Sequence, residues 1–239
     1  MYYPMGIYSI TYNWTYILVI IGAILSMAAS AHVKSTFRKY SQIRSGSGMT
    51  GAQTAMRILD KNLLTDVTVN HISGELTDHY NPSSKAVNLS DSVYGSGSVA
   101  AIGVAAHECG HVLQHANGYV PISIRTALVP VANFGSKVGL PVCILGFFLG
   151  NMGQTFISLG ILLFSFGVLF QIVTLPVEFD ASHRALLQLE SQGILSEEEL
   201  QCTKKVLSAA ALTYVAAAAA SILSLLRLIL LFGGNRRRD

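Results

Sequence analysis

Long apolar runs are the feature of this sequence that most restricts its fold. One run begins near Ile7 and extends through residues 16–31, and two more cover residues 154–175 and 206–232. A helix that spans a bilayer needs about 20 such residues. Only 12% of the 239 residues are charged, whereas soluble domains contain about 25%. We therefore predict an integral membrane protein, mainly α-helical, with three spans and a shorter fourth candidate.

The fourth candidate span, residues 138–150, is shorter than a bilayer requires. To cross, it must include residues 128–136 with Lys137 reaching the interface, or thin the bilayer around it. The run at 206–232 also has an alternative, a helix packed against the rest of the protein. If that run crosses outward, the arginines at 236–238 lie outside, against the positive-inside tendency.

Charge asymmetry around the first span predicts its orientation. Residues 1–13 carry no charged side chain, whereas His32, Lys34, Arg38, Lys39 and Arg44 follow the span directly. Positive-inside reasoning places the N-terminus outside and the following segment in the cytoplasm. A cleaved signal peptide is the alternative, because residues 29–31 read Ala-Ser-Ala, but the basic segment that precedes such signals is missing. We expect an uncleaved anchor.

Net charge and cysteine content argue against two classes of protein. The formal net charge is only +3, and the basic residues lie beside the apolar runs, so nucleic-acid binding has little support. The three cysteines are Cys109, Cys143 and Cys202. This odd number, placed in or beside predicted helices, gives no disulfide framework.

Residues 106–111 read Ala-His-Glu-Cys-Gly-His, the pattern of zinc hydrolases. Four residues of helix give about 400° of rotation and roughly 6 Å of rise, so His107 and His111 can bind one metal ion. Glu108 lies about 100° around the helix, where it can accept a proton from metal-bound water. The apolar residues from Ser98, a candidate N-cap, to Gly118, a candidate stop, predict a buried helix.

The region between the first span and this helix predicts a small soluble fold. Thr50 and Gln53 match a capping box at the start of a helix that ends near Asn62. Residues 67–72 and 85–89 read as strands joined by a polar loop, which predicts a β-hairpin. Such a strand beside a metal-binding helix could hold an extended peptide by β-augmentation.

A catalytic zinc site has three protein ligands and one open position. His115 is the nearest candidate in sequence, but about 12 Å of helix separates it from His107. Glu178 is the better candidate, in a segment where Pro176 is expected to end the third span and start a helix. Two spans separate it from the histidines, so the chain returns to the same side. The alternative is that Glu178 and Asp180 only complement a helix dipole.

Residues 107–111 and 178–182 resemble the gluzincin membrane proteases of the HtpX and CAAX prenyl protease type. Over nearly its whole length the sequence more closely resembles the bacterial YugP-like neutral zinc metallopeptidase family, with matches at residues 33–37, 73–80 and 175–181. This resemblance implies a membrane-bound peptidase with one zinc ion on His107, His111 and Glu178, and with Glu108 as the general base.

One position departs from the wider gluzincin pattern. That pattern usually has an aspartate four residues after the glutamate ligand, supporting a metal histidine, and this chain has Ser182 there. Asp180 lies about 200° around the helix from Glu178, so it cannot simply take the place of the aspartate missing at position 182. The candidates for supporting the histidines or stabilising the oxyanion are the following: Asp180, Ser182, His183, Arg184, His79 and Tyr80.

These features predict transmembrane helices plus a small α+β gluzincin-like zinc protease domain. The protein is expected to lie in a bacterial cell membrane and to cleave peptides or membrane proteins. The segments expected are an anchor (1–31), a cytoplasmic protease domain (32–127), a transmembrane hairpin (128–175), a cytoplasmic helix with the third ligand (176–205), and a membrane-associated helix with a basic tail (206–239). A role in membrane protein quality control fits this arrangement. The alternatives are a non-catalytic zinc-binding scaffold or chaperone-like partner, and a transporter, for which only Arg227 and Lys137 are intramembrane charges.

Overall fold

The computed structural model describes residues 13–232. The predicted start of the first apolar run near Ile7 and the arginines at 236–238 lie outside these residues. The elements, in chain order, are α1 (Tyr16–Tyr40), α2 (Gly51–Lys61), β1 (Thr68–Ile72), β2 (His79–Asn81), β3 (Ala86–Ser90), α3 (Val99–Ala116), α4 (Val120–Phe148), a 3-10 turn (Gly150–Met152), α5 (Gly153–Ser191) and α6 (Glu197–Phe232).

Among residues 13–232, four helical segments are long and apolar enough to cross a membrane. They are α1, α4, the 3-10 turn together with α5, and α6, and their most apolar windows have mean hydropathies between 1.5 and 2.4. The prediction of a mainly α-helical membrane protein is confirmed. The short fourth candidate, residues 138–150, gains its length because α4 begins at Val120 and continues through Pro130 and Pro141.

The described residues form two compact units. The first combines the residues up to 28 with Ile124–Thr174 and the residues from 214 onward. The second combines Ala29–Ser123 with Leu175–Thr213. Helices α1, α4, α5 and α6 therefore each contribute residues to both units.

Small residues set the helix packing in the first unit. A Cβ at Gly135 would collide with the backbone oxygen of Leu163, and a Cβ at Gly22 would lie 3.0 Å from Ala220. Such small residues let membrane helices approach closely. Arg227 lies over the ring of Tyr16, 4.7 Å from its centroid, so this charged group contacts an aromatic ring between α6 and α1.

The second unit contains a three-stranded sheet of order β1-β3-β2. The two segments predicted as a hairpin, β1 and β3, are neighbours but run parallel, with Thr68 opposite Ala86. The hairpin is formed instead by β2 and β3, with Tyr80 opposite Val87. Residues assigned to the polar loop by sequence therefore form an edge strand, because the turn at residues 82–85 is short enough to pair β2 with β3.

The core of the second unit lies between α2, β3, α3 and the end of α5. Its fully buried side chains include Ile58 of α2, Leu89 of β3, Ile102 of α3 and Leu189 of α5. The helix starts agree with the sequence predictions. Thr50 and Gln53 form the capping box of α2, and the Ser98 side chain accepts a hydrogen bond from the Ala101 amide at the start of α3.

The prediction that Pro176 ends one helix and starts another is wrong. Helix α5 continues through Pro176 from Gly153 to Ser191. A proline inside a helix removes one backbone hydrogen bond, a loss that membrane helices tolerate when other groups compensate. Glu178 therefore lies in the interior of a long helix, so its presence is not explained as an acid that complements a helix N-terminus.

Helices α3 and α5 lie in close backbone contact at Gly110. A Cβ on Gly110 would collide with the backbone oxygen of Ala181. Backbone cannot move aside as a flexible side chain does, so the two helices can lie this close only because position 110 has no side chain.

We predict that Gly110→Ala forces α3 and α5 apart and lowers the apparent unfolding temperature in detergent by about 3 °C or more. The control is Gly95→Ala, because a Cβ at Gly95 meets nothing within 4 Å. Thermal unfolding of both variants beside the parent protein measures the difference. Equal unfolding temperatures for the two variants would show that the close contact carries no packing constraint.

Candidate metal centre

Helix α3 brings two imidazoles to one side of the second unit. His107 and His111 lie one turn apart on this helix, and their ring centroids are 4.8 Å apart with an interplanar angle of 83°. His111 is 9% exposed and Glu108 is 7% exposed. Burying polar side chains so close together requires that each be paired.

Glu178 of α5 reaches the same point. Its Oε2 atom lies 3.3 Å from Nε2 of His107 and 3.6 Å from Nε2 of His111. One ligand atom from each of these three residues lies within 4.8 Å of the others. The carboxylate is 2% exposed, so water contributes little to its solvation.

These spacings fit a tetrahedral metal ion. With metal–nitrogen and metal–oxygen bonds of about 2.0–2.1 Å and tetrahedral angles, neighbouring ligand atoms lie about 3.3 Å apart. The two measured distances to Oε2 are near this value. Two imidazole nitrogens and one carboxylate oxygen are also a donor set that zinc uses in hydrolytic enzymes. His107, His111 and Glu178 thus have the chemistry and spacing to hold zinc.

Each imidazole is oriented through its other nitrogen. Nδ1 of His107 lies 3.1 Å from Oγ of Ser182, and Nδ1 of His111 lies 3.0 Å from Oε1 of Gln114. Because Oε1 can only accept, His111 donates through Nδ1, so Nε2 is the ring nitrogen available to a metal ion. Hydrogen bonds of this kind fix the tautomer and ring orientation of metal-binding histidines.

Gln114 is itself held on both sides. It is fully buried, and its Nε2 group donates to the Val177 backbone oxygen at 2.7 Å and to Oδ2 of Asp180 at 2.8 Å. These two acceptors fix which end of the amide faces His111. Nε of Arg184 donates to the same Asp180 oxygen at 2.6 Å. A chain of polar contacts therefore runs from Arg184 through Asp180 and Gln114 to His111.

Carboxylates determine the electrostatics of the site. Burial lowers the pKa of His111, but contact with Glu178 and the negative charges of Glu108 and Glu178 outweigh this, and the pKa of His111 lies above its ordinary value. A site that favours an imidazolium favours positive charge, whether a proton or a metal ion supplies it. Beside it, burial raises the pKa of the Cys109 thiol, so Cys109 remains an uncharged packing residue.

The structure places some of the remaining candidates beside the two metal-binding histidines and the others outside this cluster. Ser182, Asp180 and Arg184 lie in or beside the contacts that support the histidines. His79 and Tyr80 lie on β2, where Nδ1 of His79 contacts the Thr77 backbone oxygen at 2.9 Å. His115 packs against the ring of Tyr80 at 5.6 Å and is not part of the cluster, and His183 is exposed on α5.

Gln114 is the member of this arrangement that the sequence analysis missed. Its position three residues after His111 places it on the same side of α3, and that spacing was the available signal. Its second contact, with Asp180, depends on the packing of α5 against α3, which no local pattern reveals.

We predict that Gln114→Leu weakens zinc binding about 10–100-fold, because His111 loses the group that fixes its orientation. Competition with a chelator of known affinity measures the change. The matched control is Gln201→Leu, since Gln201 is exposed on α6. If both variants bind zinc as tightly as the parent protein, Gln114 has no part in orienting the ligand.

Comparison with known proteins gives two matches. The family described as "Putative neutral zinc metallopeptidase" matches residues 15–233. A protein of Bacillus subtilis (strain 168) described as "Putative membrane protease YugP" is 50% identical over 191 residues, which cover 80% of this chain and 84% of that protein. No solved structure matches.

Proposed function

Since the chain belongs to the "Putative neutral zinc metallopeptidase" family, we propose that it is an integral membrane zinc endopeptidase of the gluzincin type. The observation that carries this proposal is the convergence of His107, His111 and Glu178 beside Glu108. Two imidazoles from one helix and a carboxylate from another are a ligand set for one catalytic zinc ion per chain.

A zinc ion held by His107, His111 and Glu178 would act as a Lewis acid that polarises the scissile carbonyl and lowers the pKa of water towards about 7. Glu108 follows His107 directly on α3 and is 7% exposed. We assign it the general base role, in which its carboxylate accepts a proton from the attacking water and later delivers that proton to the leaving amine. Ser182 and Gln114 hold the imidazoles still during these transfers.

An open coordination position distinguishes an enzyme from a structural zinc site. A structural site is closed by four protein ligands, whereas a catalytic site has three and leaves the fourth position to water. Among residues 13–232, the cluster contains three ligand groups. This supports the enzyme over a non-catalytic zinc-binding scaffold.

The substrate class we propose is an extended peptide, including segments of membrane proteins in quality control. Strand β2 lies at one edge of the sheet, and its Tyr80 contacts His115 of the histidine helix. A peptide added to such an edge is held by backbone hydrogen bonds and needs no particular sequence. Arg184 and Tyr80 remain candidates for stabilising the oxyanion.

We propose the cytoplasmic side of a bacterial cell membrane for this site. Lys34, Arg38 and Lys39 follow the first apolar run within α1, and basic residues favour the cytoplasmic end of a span. Two span-capable segments, α4 and α5, separate His111 from the region of Glu178. An even number of crossings returns the chain to the side from which it started.

We predict that Glu108→Gln retains zinc but loses nearly all peptide cleavage, because an amide cannot accept the proton. Metal analysis of detergent-purified protein and a casein-type cleavage assay measure the two properties separately. His111→Ala is the contrasting variant and should lose both zinc and peptide cleavage. Normal turnover by Glu108→Gln would overturn the proposed mechanism.

We also predict that Glu178→Ala loses most of its zinc, since two imidazoles alone make an incomplete site. Glu190→Ala is the matched control, because Glu190 is an exposed carboxylate on the same helix and should leave metal content unchanged. Zinc retained by Glu178→Ala at the level of Glu190→Ala would remove Glu178 from the ligand set.

A further inference from the structure

A groove of about 690 Å³ lies between the end of α1 and the beginning of α6, within the second unit. Its polar lining comes from both helices: Ser35, Thr36, Lys39, Lys204, Lys205 and Ser208. The described residues that line it include no aspartate or glutamate. The groove therefore combines three ammonium groups with the hydroxyls of Thr36 and Ser208, and these are donors suited to phosphate oxygens. The Ser35 hydroxyl donates to the His32 backbone oxygen at 2.9 Å.

The lysines of this groove form no ion pair within the described part of the protein. Lys39, Lys204 and Lys205 are all exposed. Glu199, at the acidic start of α6, forms hydrogen bonds with backbone amides instead of pairing with these lysines. Its two carboxylate oxygens accept hydrogen bonds from the amides of Gly46 and Ser196.

The groove also lies where both helices change from polar to apolar. In α1 it begins at His32, directly after the apolar residues 16–31. In α6 it extends from Gln201 to Leu212, across the point at residue 206 where the apolar run begins. Ala209 and Leu212 give the groove an apolar part beside its lysines. A small soluble anion would leave the apolar part of this surface uncovered, whereas a lipid has both a charged headgroup and an apolar part that can contact it.

We propose that this groove binds the phosphate headgroup of an anionic membrane phospholipid. The lysines and hydroxyls bind the phosphate oxygens, and Ala209 and Leu212 contact the first carbons of the acyl chains. Basic pockets between membrane helices select anionic lipids because each lysine near the surface adds to the attraction. Neutral lipids bring no net charge to the groove and are bound more weakly.

The groove adjoins the support of the metal-binding helix. Tyr40 lines the groove and packs with Val99 and Val206. The Thr203 hydroxyl donates to the Val99 backbone oxygen at 3.1 Å, at the start of α3. A lipid that holds α1 and α6 together thus stabilises the two helices against which the beginning of α3 packs.

Native mass spectrometry of the full-length protein in a non-ionic detergent tests this proposal. Phosphatidylglycerol and phosphatidylcholine with identical acyl chains are titrated separately, and retained lipid is counted. We expect the protein to bind phosphatidylglycerol at least about tenfold more tightly. Equal retention of the two lipids would overturn the proposal without reference to any variant.

The variant that tests the location combines Lys39→Ala, Lys204→Ala and Lys205→Ala. It should lose the preference, and replacing the same lysines by arginine should preserve it. The control combines Lys34→Ala, Arg38→Ala and Arg44→Ala, which removes the same charge from exposed residues outside the groove. Circular dichroism verifies the helix content of each variant.

Three further results would contradict the proposal. If the control triple variant loses the preference as fully as the groove variant, general surface charge accounts for binding. If millimolar inorganic phosphate displaces phosphatidylglycerol completely, the groove is a small-anion site. If an acidic peptide displaces the lipid at equal concentration, the groove recognises a protein partner instead.

Discussion

The close approach of α3 and α5 at Gly110 is the constraint on which the candidate site depends. The two histidines belong to one helix and are placed by its pitch, but the carboxylate belongs to another helix nearly 70 residues later in the chain. Glu178 reaches both Nε2 atoms because the backbone of α5 lies against position 110, which has no Cβ. Because this glycine lies between the two histidines in the motif, the motif itself leaves the space that brings the third ligand close.

Burial makes this arrangement costly unless every polar group is partnered. A carboxylate that is 2% exposed loses most of its hydration. Nearby, Gln114 connects His111 to Asp180, and Arg184 balances the charge of Asp180. Leaving such a network with one member unpaired is unfavourable in a low-dielectric surrounding. A divalent cation held by the three ligand atoms would offset the negative charge that Glu108 and Glu178 bring together.

Local patterns predicted the elements of this site, and long-range packing determined the rest. The caps at Thr50 and Ser98 depend on neighbouring residues, so the helices they start could be predicted. The parallel pairing of β1 with β3 could not be predicted in this way, because β2 lies between these two strands in the sequence. The contact between Gln114 and Asp180 likewise depends on the packing of α5 against α3. The prediction from Pro176 was wrong because a long membrane helix can continue through a proline when other groups compensate for the lost hydrogen bond.

X-ray absorption spectroscopy at the zinc edge of the purified, detergent-solubilised protein tests the central claim most directly. With His107, His111 and Glu178 as ligands, the account predicts two imidazole nitrogens and additional oxygen ligands, one of them exchangeable, at about 2.0–2.2 Å. A sulfur shell near 2.3 Å, or a site closed by four protein ligands, would contradict it.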